Sequence, residues 1–333
     1  MDPERAHHWT LTQFRRALGV PLLGSSLSSA WKLDTPELER ELMGLNFPNP
    51  VGLAAGFDKN AEHIDLMHKL GFGFIEIGTV TPRAQAGNPQ PRLFRLPADE
   101  ALINRMGFNN AGVEAAVKNL KKSRPHVIIG GNIGKNKTTE NSRAVDDYLL
   151  SYKVLHDYVD YFVINVSSPN TPGLRELQRR EPLLRLLSAV QELNQHSQTS
   201  RPILLKVAPD ITDLQREDIA EVLLQSEMTG LITCNTTISR DGLHTSSDTI
   251  AHMGAGGLSG APLYDQSLRQ LRWFRSALPR DMVIIGVGGI NSPERAAEML
   301  AAGADLIQIY SALIYEGPAL IKKIKHHLLA QAH

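Results

Sequence analysis

The sequence predicts an α/β barrel of eight parallel strands, a TIM barrel, and three observations carry that prediction. Eight short β-branched runs recur along the 333 residues, at 51–56, 72–79, 127–134, 161–168, 203–209, 230–236, 283–289 and 305–311. They are apolar throughout rather than alternating, as strands covered on both faces are. Amphipathic helical patterns separate most of them, at 62–70, 111–122, 181–194, 215–227, 268–277 and 293–302. Such a barrel carries its site at the carboxyl ends of the strands. A doubly wound open sheet is the main rival, but the strand–turn–helix motif of a dinucleotide fold is missing.

The bulk composition narrows the function classes. Lys+Arg 35 against Asp+Glu 35 leaves no basic excess, which counts against a nucleic-acid partner. Cys234 is the only cysteine, so no intrachain disulfide and no cysteine-based metal cluster can form, and no metal is expected. No apolar stretch is long enough to span a bilayer, and the charged start Met1-Asp2-Pro3-Glu4-Arg5 lacks the core of a signal peptide, which points to an intracellular protein.

Residues 1–45 precede the first strand, and 10–18 reads as a short amphipathic helix with Arg15 and Arg16 on one side and Leu11, Phe14 and Leu18 on the other. Strand one ends Ala54-Ala55-Gly56-Phe57-Asp58-Lys59, where small residues let a flat ligand approach the backbone. Lys59 is either a holder of a carboxylate or phosphate or a solvated surface lysine. Two insertions break the rhythm. The first, 82–107, is rich in Pro, Arg and Asn and reads as a protruding loop or hairpin beside the site. The second, 239–260, is polar and Gly-rich and reads as a mobile lid.

Strand three delivers Asn132, strand four Asn165 and strand five Lys206. Inside Leu204-Leu205-Lys206-Val207 an unpaired ammonium is costly, so Lys206 meets an anionic partner or is a depressed-pKa amine for Schiff-base chemistry. The segment Asn165-Val166-Ser167-Ser168-Pro169-Asn170-Thr171 ends a buried run in a cluster of hydrogen-bonding side chains, a polar turn in one reading and a binding site in the other. Asn104, Asn132, Asn165, Asn170 and Asn235 all fall at or beside strand ends. Primary amides carry a donor and an acceptor, which suits a small imide-like ring. The glycine turn that ends strand seven (Gly286-Val287-Gly288-Gly289) and the end of strand eight (Gln308-Ile309-Tyr310-Ser311-Ala312) place backbone N–H groups where such a barrel commonly cradles a monophosphate. Ser168 is the candidate base, with Thr171 as the nearest relay. No histidine stands at a strand end to complete a triad, so acyl transfer is disfavoured.

The segments 165–175, 104–110, 131–137 and 286–290 together closely resemble class 2 dihydroorotate dehydrogenase, the quinone-dependent flavoprotein of pyrimidine biosynthesis, and the resemblance runs over nearly the whole chain. It implies an oxidoreductase that passes electrons from (S)-dihydroorotate through FMN to a membrane quinone. It implies FMN contacts from Ala55, Gly56, Phe57, Asp58, Lys59, Thr79, Asn132, Asn165, Lys206, Cys234, Gly260, Gly289, Tyr310 and Ser311. Substrate contacts are implied for Lys59, Asn104, Arg105, Met106, Gly107, Phe108, Asn165, Asn170, Asn235 and Thr236. Ser168 matches the base that takes the C5 proton while a hydride leaves C6; class 1 relatives use a cysteine there. Lys206 falls near the flavin's pyrimidine end.

The resemblance further implies that 1–40 is a helical extension for membrane docking and quinone access, lined by Leu11, Phe14, Leu18, Leu22 and Leu23, with the FMN barrel at 41–333. The implied location is the cytoplasmic side of the inner membrane, as a peripheral protein. Family members often carry a further apolar stretch ahead of Asp2, so weaker membrane affinity or a shortened start is expected. Cys234 stands where relatives commonly have Thr, a mild swap if the contact is through the backbone. Rival functions on the same fold are a Schiff-base lyase using Lys206, an FMN enzyme of RNA bases, and a non-catalytic binding barrel.

Overall fold

The computed structural model describes residues 2–19, 31–33, 35–122 and 127–331. The first two strands, β1 (Arg40–Leu42) and β2 (Leu45–Phe47), form a hairpin that closes the bottom of a barrel. The barrel itself comprises β3 (Val51–Leu53), β4 (Phe74–Val80), β7 (Ile128–Ile133), β8 (Tyr161–Asn165), β9 (Ile203–Val207), β10 (Gly230–Thr233), β12 (Val283–Val287) and β13 (Leu306–Ile309). These eight pair in parallel in that order and close from β13 back to β3. Each coincides with one of the apolar runs.

Burial on two faces explains why the runs are continuous. Along β4, Phe74 packs inside the barrel while Ile75 and Ile77 pack outward under the helices. Phe47 of the hairpin enters the bottom and meets the Phe74 ring edge-on at 5.4 Å. Large rings need small neighbours: a Cβ at Gly130 would stand 2.2 Å from the Tyr161 ring. The interior thus tapers to a packed plug below and leaves its polar layer to the strand ends.

Both insertions fold into one small sheet over the barrel mouth. The first supplies the hairpin β5 (Leu93–Leu96) and β6 (Ala101–Asn104), and the second returns β11 (Gly257–Gly260) antiparallel to β6. The expected lid is therefore largely structured, with a helix at Ser247–Met253 and several ties to the hairpin. Asp99 accepts from the backbone N–H groups of His244 (2.5 Å) and Thr245 (3.1 Å), and Arg105 donates to the carbonyls of Met253 and Ala255.

The N-terminal helix spans Pro3–Gly19, longer than the amphipathic pattern, because Pro3 suits its first turn and Asp2 accepts from the Arg5 N–H at 3.0 Å. Glu4 fastens it to the hairpin sheet through a buried pair with Arg92 at 2.7 Å. The Arg92 hydrogen bond holds the Glu4 carboxyl below the usual carboxylate range. A depressed carboxyl stabilises above its unfolded pKa and loses that contribution as pH falls through the folded one. Docking of this helix is therefore expected to weaken only in acid. Arg92→Ala abolishes the pH dependence and weakens docking by about 2–3 kcal/mol, measured by hydrogen exchange across 3–19. Among the described residues no helix is long and apolar enough to cross a membrane.

Candidate active site

The strand ends open on a cavity of about 1140 Å3, counted out to its mouth. Ala54, Ala55 and Gly56 form part of one wall. Lys59, Thr79, Asn165, Lys206, Cys234, Gly260, Gly289, Tyr310 and Ser311 also border it. So do Asn104, Met106, Gly107, Phe108, Asn170, Asn235 and Thr236 from the substrate set, and Ser168. Four sequence-named residues do not. Asn132 is fully enclosed in the barrel. Phe57 and Asp58 border a second cavity instead. Arg105 is engaged with the lid backbone and stacks 4.6 Å over Phe94.

The adjacent serines separate clearly. Ser167 is fully buried, donating Oγ–H to Asn165 Oδ1 at 3.0 Å, while Ser168 borders the cavity and its Oγ accepts from the Asn170 N–H at 3.3 Å. Thr171 Oγ1 is buried without a partner among the described residues, so a proton-carrying group is left available close by in the chain. Arg175 braces the loop: its guanidinium donates to the Ser167 carbonyl, to Asp210 and to the Thr236 carbonyl, each at 3.0 Å. One side chain thus ties the ends of β8, β9 and β10 together.

Lys206 has the anionic partner. Its ammonium stands 3.3 Å from Glu76 Oε1, in a pair whose side chains are 6% and 0% exposed. Glu76 and Gln308, which donates to Glu76 Oε2 at 2.5 Å, escape the sequence reading although both interrupt apolar runs as Lys206 does. An acid inside Phe74-Ile75-Glu76-Ile77 raises the same desolvation question as a lysine inside β9.

Lys59 donates to Asn109 Oδ1 at 2.6 Å, and burial, with Arg92 nearby, pulls its pKa down to about 8. Asp58 is pushed up to about 6 by burial while it accepts from the Glu62 and His63 N–H groups, a turn-holding role. Burial lifts the Cys234 thiol to about 12, so it stays neutral, 3.1 Å from Ser267 Oγ. At the far end Gly288 and Gly289 have φ of +125° and +70°, and a Cβ at Gly289 would stand 2.6 Å from the Tyr264 backbone. Ser311 Oγ lies 2.8 Å from Ser259 Oγ on the same side. A flat wall, a buried cation, convergent amides and a glycine turn suit a flat polar ring with a phosphate.

The second cavity, about 2190 Å3 out to its mouth, lies between the N-terminal helix and the barrel and shares Gly56, Lys59, Met106, Tyr310 and Tyr315 with the first. Leu11 and Phe14 line it; the side chain of Leu18 and residues Leu22 and Leu23 lie outside the described residues. His7 Nε2 sits 3.1 Å from the Phe57 carbonyl, and burial pulls its pKa down to about 4, so the ring is neutral there. Phe57 meets Tyr310 edge-on at 5.5 Å between the two cavities.

Residues 37–331 match the dihydroorotate dehydrogenase family. A protein of Christiangramia forsetii named dihydroorotate dehydrogenase (quinone) is 52% identical over 98% of this chain and 95% of its own. One of the same name from Idiomarina loihiensis is 50% identical over 98% and 96%. A crystal structure of the Eimeria tenella enzyme in complex with ferulenol superposes with a TM-score of 0.88 at 37% identity, covering 99% of this chain and 92% of that one.

Proposed function

The chain belongs to the dihydroorotate dehydrogenase family, and we propose that its strand-end cavity oxidises dihydroorotate to orotate, in pyrimidine biosynthesis, with a quinone as acceptor. The observation that carries this reading is the convergence of Ser168, Asn104, Asn165, Asn170 and Asn235 on one cavity wall system with Lys206 and Lys59. Ser168 Oγ takes the proton from the substrate carbon as its own hydroxyl proton leaves by way of Thr171 or solvent. The brace from Arg175 fixes the backbone next to that hydroxyl, so the base is held rather than searched for. Lys59 holds the substrate carboxylate, and the asparagine amides read the ring edge.

The cradle fits FMN. Ala55 and Gly56 leave room for a ring, Lys206 and Asn165 would meet its polar edge, and Gly260, Gly289 and Ser311 would hold the phosphate. Bound FMN supplies the hydride acceptor and the relay of two electrons to quinone. The Cys234 substitution is mild here, because its backbone N–H donates to the Val287 carbonyl and its thiol is turned to Ser267. The second cavity, with the helix Pro3–Gly19 and residues up to 40, serves as the quinone entrance to the barrel at 41–333. Trp9, 57% exposed on that helix, is suited to the cytoplasmic face of the inner membrane.

The purified protein is expected to carry FMN and to reduce a soluble quinone analogue only when dihydroorotate is supplied; a colourless protein without that activity removes the reading. The Lys59 pKa adds a pH signature. Below about 8 the ammonium is present and above it is lost, so kcat/KM for dihydroorotate falls as pH rises through about 8. Lys59→Gln has a low kcat/KM at all pH values and lacks that limb.

A further inference from the structure

The four consecutive carbonyls of Arg105-Met106-Gly107-Phe108 are all drawn to one side, by Gln85 and Asn88. Asn88 donates from Nδ2 to the Arg105 carbonyl and from its N–H to the Met106 carbonyl, each at 3.0 Å. Gln85 Nε2 donates to the Gly107 carbonyl at 3.2 Å and to the Phe108 carbonyl at 3.0 Å. The peptide bonds joining these residues are trans, so each N–H points opposite to the carbonyl of the residue before it. The N–H groups of Met106, Gly107 and Phe108 therefore face away from Gln85 and Asn88, and none of them has an acceptor among the described residues. All three residues border the strand-end cavity together with Lys59, whereas Gln85 and Asn88 do not. Successive backbone donors beside a buried ammonium suit an anion.

Phe108 holds a φ of +54°, a left-handed conformation that a bulky residue keeps only where its surroundings impose it. Asn110 Nδ2 also donates to the Phe108 carbonyl, at 2.7 Å, but the Gly107 carbonyl has no donor besides Gln85 among the described residues. Turning the Gly107–Phe108 peptide over would bring Phe108 to a negative φ, and glycine at 107 permits the turn. The Gly107 carbonyl would then replace the Phe108 N–H at the cavity. The Gln85 amide is itself fixed end for end, because the Lys137 N–H donates to its Oε1 at 2.9 Å. Its backbone is anchored separately, paired with Asn110 in both directions. We propose that Gln85 is a positioning residue of the substrate site, holding the Gly107 carbonyl out of the cavity so that the N–H groups of 106–108 receive the substrate carboxylate beside Lys59. The proposal rests on the functional reading above and deepens it.

The test measures orotate affinity of the holoenzyme by flavin absorbance, FMN content, and the rate at which dihydroorotate bleaches the flavin without acceptor, which leaves the quinone end out of the readout. Gln85→Glu keeps the acceptor for Lys137 and loses only the donor; Gln85→Leu loses both and adds no charge. Each is expected to weaken orotate about tenfold or more and to raise the half-saturating dihydroorotate concentration alike, with the limiting bleaching rate within about threefold of native and FMN content unchanged. Native affinity in either variant overturns the proposal. So does a loss shared by affinity, bleaching rate and FMN content, which marks a general loosening of the site. A crystal structure of Gln85→Leu is expected to show the Gly107 carbonyl turned into the cavity, and a peptide left in its native orientation overturns the proposal as well. Where Gln85→Leu is not recovered as holoenzyme, Gln85→Glu carries the test by the same criteria. Native holoenzyme that binds no orotate overturns the functional reading instead.

Discussion

Ser168→Ala is expected to lower turnover with dihydroorotate by about 10^2- to 10^4-fold, the range a positioned proton acceptor supplies, while FMN stays bound. The hydroxyl borders the cavity and its removal leaves only the Asn170 N–H without that acceptor. Orotate affinity should change little, since Asn104, Asn170 and Asn235 remain. Steady-state kinetics with a quinone analogue, beside orotate titration, separates this outcome from a binding defect. Unchanged turnover removes Ser168 from the reaction and favours a non-catalytic barrel. Ser167→Ala is the matching control, with its effect falling on Asn165 and Asn235, the residues it touches.

The second large effect is on the folded state itself. Lys206→Met removes the ammonium and leaves the Glu76 carboxylate fully buried with only two amide donors. Stranding one member of a buried pair costs about 3–5 kcal/mol, so the denaturant midpoint should drop strongly and FMN should be lost more readily. The pairing also bears on the rival lyase: an ammonium held at 3.3 Å from a carboxylate is a poor imine-forming amine. Borohydride is accordingly expected to trap no carbonyl substrate on Lys206.

The strands were legible because burial on both faces writes itself into sequence as unbroken apolar runs, and β4 or β9 needs no partner information to be seen. The helix Ala144–Leu155 was not, and the reason is visible in its residues. Val145, Tyr148, Leu149, Leu150, Tyr152, Val154 and Leu155 surround the axis, so no stripe stands out, and Leu150 remains 49% exposed. The order within 239–260 is not legible in the sequence because its partners are remote: Gly257 pairs with Asn104, and Asp99 captures His244 and Thr245. Composition alone shows only a polar, glycine-rich segment.

At the site, residues that end apolar strands could be named one by one, and most of them border the cavity. What the sequence lacks is phase and pairing. Pro169 ends the period-two pattern, so nothing in Val166-Ser167-Ser168 tells which serine faces the ligand. Glu76 lies one layer below the cavity and Gln308 borders it, both within strands rather than at their ends, where a search of strand ends does not reach. Arg105 sits inside a recognised motif, yet its side chain is engaged with the lid carbonyls and the Phe94 ring. Motif membership fixes the backbone position more firmly than the direction of a long side chain.

The central claim, that dihydroorotate gives up its electrons at the Ser168 end of the barrel and a quinone collects them, is tested most directly by one anaerobic titration. Dihydroorotate is added to the yellow holoenzyme without acceptor, and quinone follows. The account predicts that the flavin absorbance bleaches on the first addition and returns on the second. Flavin that stays yellow with dihydroorotate, or that bleaches but is not reoxidised by quinone, contradicts it.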